Sequence, residues 1–244
     1  ISFCQDEFLS QNGVINESIV STELGLKGIP DISESINIYR DIQILSYTNG
    51  KLHIPYVNTK QGVELIRDAK KRNLDITAST SLPHLIFSDK DINEFNTNLK
   101  LNPPLRSEID CNSVKEGLID GTIDYITSMH EPLDADNKKV VFDLASSGSI
   151  GLESVFGNMC NNFTLEKTID ILTRNKSIFE IEDHPIEKGS YADLTLFNPD
   201  KSYEFSNEHI FSTSKNCAYL GNKLKGIVYG SINNNNSTLN SLWT

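Results

Sequence analysis

The chain reads as an α/β protein with a small β appendage, and three observations carry that reading. Short apolar runs alternate with longer amphipathic ones between residues 33 and 127, the pattern of β-α units around a parallel sheet. Turn-forming residues punctuate the alternation, Asn49-Gly50 and Gly121 among them. After Asp183 the texture changes to strand-and-turn segments with no helix between. A barrel and a doubly wound sheet both satisfy this alternation.

Residues 33–47 carry Ile36, Ile38, Ile42, Ile44 and Leu45 among polar and charged positions and predict a helix, stopped at Asn49-Gly50. Residues 51–57 predict a strand, and 60–71 a helix with Val63, Ile66 and Ala69 on one face. A second strand follows over 75–81. Residues 110–120 predict a helix with Val114 and Leu118 four apart, closed by Gly121 and followed by a strand over 122–127. A glycine-rich turn at 148–151 leads into a helical stretch to about Phe156. Thr164 is placed to cap a further helix, with Lys167 where a capping box would carry Glu or Gln. Segments 188–199 and 224–230 are the strands of the appendage, and the Asn-rich stretch from Asn233 onward is expected to fray.

With 244 residues and 38% hydrophobic content, the chain is long enough for one large domain and a small appendage. A formal charge of -11 without a basic run argues against a nucleic-acid partner and against binding to anionic membranes. Cys4, Cys111, Cys160 and Cys217 lie far apart with no metal-ribbon spacing, as expected of reduced thiols in a cytoplasmic protein. No apolar run reaches the length of a membrane span. The chain opens on Ile1 rather than Met, in a segment that reads like the interior of a strand, so an upstream segment is expected.

Four blocks carry a more specific signal. Asn102-Pro-Pro-Leu-Arg106, Glu116-Gly-Leu-Ile-Asp-Gly-Thr-Ile-Asp124, Gly148-Ser-Ile-Gly-Leu-Glu153 and Gly189-Ser-Tyr-Ala-Asp-Leu194 resemble, in order and spacing, the dihydroorotases of the amidohydrolase superfamily. Cys4-Gln-Asp6 and Gly25-Leu-Lys-Gly-Ile-Pro30 extend the resemblance towards the amino end. It implies a (β/α)8 TIM-type barrel, of which the second half is present here, with a small β-sandwich appendage. On that map residues 1–183 are barrel, 184–236 are appendage strands and 237–244 a flexible tail. The family's H-x-H metal motif would lie upstream.

The resemblance also implies where zinc ligands and the proton-moving Asp should stand, and other residues stand there. The family's second strand histidine falls on Tyr56, within His53-Ile-Pro-Tyr56-Val-Asn58. A further ligand position falls on Pro83, within Ser81-Leu-Pro83-His84, and the catalytic Asp falls on Met129, within Ser128-Met129-His130-Glu-Pro132-Leu133. A phenol with an ordinary pKa near 10 is a poor zinc ligand at neutral pH, and proline offers no donor. A thioether cannot act as a base. Leu133 replaces a His that contacts substrate in the family.

His53, His84 and His130 sit beside these positions, but strand alternation turns neighbouring side chains to opposite faces, so they are expected in the core or behind the site rather than on a metal. His184 and His209 are expected at the surface. Asn102 matches a substrate-facing amide and is the one tentative substrate-binding residue; the competing expectation is that its block simply fixes a loop, with Arg106 paired to a carboxylate. Asp124 and Glu153 are expected in turn and packing contacts. Ser128, Ser146 and Ser147 lack the G-x-S-x-G elbow of a serine nucleophile, and residues 148–151 lack a phosphate-loop ending.

The resemblance, with these replacements, implies a dihydroorotase-like protein of pyrimidine biosynthesis with no catalytic residue at Met129, no metal and no cofactor, serving as a scaffold or assembly partner. By the same resemblance, aspartate transcarbamoylase or a second copy of the chain is the expected partner. The alternative is an active zinc-dependent cyclic amidohydrolase whose ligands come from upstream, and a third possibility is a metal-independent module binding dihydroorotate or a related ureide.

Overall fold

A computed structural model describes residues 1–182 and 184–240. The chain divides into two units, one of residues 1–152 with 212–218, the other of residues 153–211 with 219 onward.

The first unit opens with α1 (Glu7–Ser10), β1 (Ile15–Asn16), α2 (Ile19–Glu23) and β2 (Gly28–Ile29), the two strands pairing in parallel. The expected strand at the amino end is not formed, although the Ser2 N–H donates to the His53 carbonyl at 2.9 Å. Helix α3 (Ile32–Thr48) follows and buries Ile38, Ile42 and Leu45. It ends where Asn49 takes the left-handed conformation at φ 50° and its N–H reaches back to the Leu45 carbonyl.

Strands β3 (Leu52–Ile54), β4 (Ile76–Ser81) and β5 (Tyr125–Thr127) form a parallel sheet in that order, with Leu52 opposite Ile76 and Ser79 opposite Tyr125. The helices between them are α4 (Lys60–Lys71), α5 (Leu82–Ile86) and α6 (Glu108–Asp120). Helix α4 forms for local reasons. Its Thr59 cap accepts the Gly62 N–H, Val63, Ile66 and Ala69 are buried on one face, and Lys70 and Lys71 sit in the last turn, where the helix dipole favours cations. Helix α6 starts on a reciprocal Ser107–Asp110 capping box and stops at Gly121, whose φ of 83° suits a residue without Cβ. Strand β3 is shorter than the sequence predicts because Pro55 has no N–H to continue the ladder.

The second unit contains α7 (Val155–Asn162), α8 (Leu165–Thr173) and an antiparallel sheet of β6 (Asp193–Glu204), β7 (Lys223–Asn233) and β8 (Asn236–Leu239). Thr164 caps α8 by accepting the Lys167 N–H. At Gly226, φ is +95° and an added Cβ would meet Phe156 and Cys160 at about 3.0 and 3.1 Å, so the close packing of α7 on β7 depends on this glycine. The Asn-rich tail departs from expectation: Asn233 and Asn236 close a hairpin, and Ser231, Ile232 and Asn233 find partners in β8. Asparagine tolerates the left-handed turn, taken here by Asn234 at φ 52°. The remaining tail prediction, for residues 241–244, lies outside the described residues. Among those described, this unit holds one sheet.

Candidate functional site

The carboxyl ends of β3, β4 and β5 bring the predicted positions to one end of the first unit's sheet. After Pro55, Tyr56 turns left-handed at φ 57°, and the Val57 N–H then returns to the Ser79 carbonyl at 2.8 Å. Met129, two residues past β5, does the same at φ 49°. For residues with a Cβ that conformation costs about 1–2 kcal/mol, so packing has to hold both strand ends there.

The packing is apolar. Met129 is 4% exposed and belongs to a cluster with Ile15, Ile92, Leu101, Leu105 and Phe142, against which Tyr56 also packs. Phe3 meets the Tyr56 ring edge-on, with centroids 6.4 Å apart. Pro83 is placed elsewhere: it lies buried in the first turn of α5, a position where its fixed φ and missing N–H do no harm. Met129 thus lies in the cluster with the partly buried Tyr56 packed against it, and Pro83 lies in the first turn of α5.

The three neighbouring histidines are each engaged separately. His53 lies half-buried, with Nδ1 2.8 Å from the Thr77 hydroxyl and Nε2 2.9 Å from the Tyr125 hydroxyl, its ring stacked on Tyr125. Burial pulls its pKa below the usual value. His84 does not sit on a strand at all but in α5, so alternation is not what sets its direction. Its Nδ1 lies 2.6 Å from the Ser81 hydroxyl and its Nε2 3.1 Å from the Pro103 carbonyl, while burial pushes its pKa down to about 4. A neutral ring donating from Nε2 leaves Nδ1 as acceptor. The Ser81 proton therefore goes to the imidazole, and the Met129 sulfur, 3.3 Å from the same oxygen, keeps a weak contact. His130 accepts the Gly151 and Leu152 N–H groups at Nδ1.

Zinc, which the resemblance implies, does not suit this stretch: among the described residues no three His, Cys, Asp or Glu side chains converge on a metal position. The described cysteines are all free thiols, and burial raises Cys4 and Cys111 to about 12. What the strand ends offer is an apolar wall with a hydroxyl and a neutral imidazole behind it.

Asn102 is exposed and precedes a cis peptide to Pro103. Arg106 is 1% exposed, and its direct partners are not carboxylates, as the sequence had suggested. Its Nη1 donates to Asn16 Oδ1 at 3.0 Å and the Ile29 carbonyl at 2.7 Å, and its Nε to Asn58 Oδ1 at 3.3 Å. Glu34 acts on it through space while accepting the Thr59 hydroxyl and the amides of Asn58 and Thr59. Burial pushes Glu34 up to about 7 against the pull of Arg106. Asp124 receives Lys70 at 2.7 Å and the Ala78 N–H at 2.8 Å, a structural role in keeping with its predicted one. His209 is partly covered, its Nδ1 accepting the Ser206 N–H, and His184 is exposed. The buried Glu34–Asn58–Arg106 network left no signal in the sequence, because its members are single polar residues drawn from three separate segments.

No family model matches the chain. It is 42% identical over 234 residues to the dihydroorotase of Endomicrobium trichonymphae, covering 93% of this chain and 56% of that protein. Its fold matches a D-hydantoinase with a TM-score of 0.77 at 19% identity, over 96% of this chain and 54% of the other. In sequence the chain is similar to dihydroorotases, and in fold to a D-hydantoinase. The parallel β3-β4-β5 sheet and its intervening helices bear out the α/β class read from the sequence, and the fold likeness agrees. The amidohydrolase-like chain spans about half the length of the curated relatives it matches. It also matches, with a TM-score of 0.58 and 19% identity over 82% of this chain and 55% of the other, an inactive dihydroorotase-like domain from the multifunctional CAD-like protein of Chaetomium thermophilum. No helix among the described residues is long and apolar enough to cross a membrane.

Proposed function

We propose that this chain is the second half of a (β/α)8 barrel with its β-sandwich strands, in a dihydroorotase-like cytoplasmic protein of pyrimidine biosynthesis that has lost metal-dependent catalysis and serves as a scaffold. The observation that carries the reading is the burial of Met129 in an apolar cluster against which the partly buried Tyr56 packs. Hydrolysis of a cyclic amide by a metal-bound water needs ligands that bring that water towards neutral pKa and a group to move its proton. A thioether and a phenol packed on Ile15 and Phe142 supply neither. Retention of the surrounding packing blocks alongside these replacements is what selection for shape leaves, and an inactive dihydroorotase-like domain in another protein shares the fold. Asn102, exposed ahead of the cis peptide to Pro103, is the proposed substrate-facing amide, without a metal that would make its hydrogen bond productive.

The partner proposed is aspartate transcarbamoylase or a second copy of the chain. The full-length protein, purified with and without that enzyme, is assayed for dihydroorotate turnover and run on a sizing column. Co-elution without turnover supports the reading; turnover by the protein alone overturns it. The second reading, an active zinc enzyme drawing its ligands from upstream, is favoured by the 42% identity to a dihydroorotase.

A further inference from the structure

Within the first unit, a cleft of about 430 Å³ opens between Thr97 and Asn98, the stretch from Leu133 to Lys139 and residues 213–216. That volume lies in the range of small-molecule sites, about 300–1,000 Å³. Its charge runs against the rest of the chain. Lys138, Lys139 and Lys215 line it with Asp134 as the opposing carboxylate, in a protein whose formal charge is -11. Asn98, Thr213 and Ser214 add neutral hydrogen-bonding groups.

Lys138 lines the cleft. Although it is a lysine it is buried, and its Nζ donates to the Thr97 and Ser146 carbonyls, both at 2.7 Å. An ammonium has three N–H donors, so a third remains for an incoming acceptor. A second buried ammonium, Lys100, is held on the Phe142 and Asp143 carbonyls and repels Lys138, while Glu131 offsets it in part. Burial and Lys100 together push Lys138 down to about 8. Positive charge concentrated in this way and removed from water favours a bound anion.

The walls are fixed before any ligand arrives. Asn216 accepts the Leu133 N–H at Oδ1 and donates from Nδ2 to the Glu131 and Gly148 carbonyls, stitching segment 212–218 to the loop after β5. The Ser149 hydroxyl joins the same seam through the Asn216 carbonyl and the Ala218 N–H. A preorganised cleft loses less free energy to ordering when it binds.

We propose that this cleft is a binding site for a small oxyanion-bearing molecule, a carboxylate or a phosphate, held by Lys138 with Lys139 and Lys215 at the rim. It does not depend on whether the strand ends carry a metal.

Isothermal titration of the full chain at low ionic strength with inorganic phosphate, and separately with succinate, tests it. Lys139→Ala and Lys215→Ala are run beside the control Lys27→Ala, outside the cleft lining, with circular dichroism confirming the fold and Lys139→Gln and Lys215→Gln as replacements if an alanine variant misfolds. Saturable one-to-one binding is expected, about tenfold weaker in each rim variant, the factor that about 1.4 kcal/mol represents, and unchanged in the control. Saturation by phosphate alone assigns a phosphate ligand, by succinate alone a carboxylate. No saturable binding of either, or equal affinity in all variants, overturns the proposal.

Discussion

The Ser81 hydroxyl donates a 2.6 Å hydrogen bond to Nδ1 of His84, and that bond suits His84 as a neutral ring. Its folded pKa is depressed, from the ordinary 6.5 to about 4, by burial. The unfolded chain therefore binds the extra proton between those values, and the stability His84 contributes is complete above pH 6.5 and lost as pH falls towards and through 4. The loss amounts to about 3 kcal/mol. Glu34 runs the other way: raised from 4.5 to about 7, it contributes fully below pH 4.5 and loses that contribution as pH rises through 7. Urea midpoints of the wild type and His84→Gln between pH 4.5 and 7.5 separate the two, and the variant should show the shallower acid-side loss. Parallel pH profiles for the two proteins would contradict the assignment.

Met129→Asp puts a carboxylate back where the resemblance would have one, and buries it among Ile15, Leu105 and Phe142. With only the Ser81 hydroxyl in reach, already engaged by His84, the expected result is a loss of about 2–5 kcal/mol in denaturant unfolding and no gain in dihydroorotate turnover. Met129→Leu conserves volume and should cost less than about 1.5 kcal/mol. A Met129→Asp protein as stable as the wild type would show that the pocket is wetter than its packing indicates.

Arg106→Lys is expected to be costly despite the conserved charge. The guanidinium reaches Asn16, Asn58 and the Ile29 carbonyl at once from a 1% exposed position, a spread that a single ammonium cannot reproduce. Arg106→Met should cost more, about 3–5 kcal/mol, since it leaves Glu34 buried without its cation. The paired variant Arg106→Met with Glu34→Gln should recover part of that loss, and a double-mutant cycle in urea measures how much.

Helices were legible where local rules agreed. Thr59, the Val63–Ile66–Ala69 face and Lys70–Lys71 all indicate the same span, and α4 occupies it. β1 and β2 were not legible, because two residues show no alternation. The hairpin at Asn233–Asn236 was missed since its pairing depends on β7 rather than on composition. At the candidate site, the motif positions Tyr56 and Met129 could be read from the sequence, and their shared cluster could not, because Ile15, Leu101 and Phe142 come from distant segments. His84 was assigned to a strand because a helix of five residues leaves no 3.6-residue period to read. The cleft around Lys138 was invisible for the same reason as the Arg106 network: burial of a lone lysine is decided by tertiary folding.

The most direct test of the central claim is an anomalous-scattering map at the zinc edge from crystals of the full-length protein grown with zinc. The account predicts no peak within coordination distance, about 2.0–2.3 Å, of the Tyr56 oxygen or the Met129 sulfur. A fully occupied peak bonded to either side chain would contradict it.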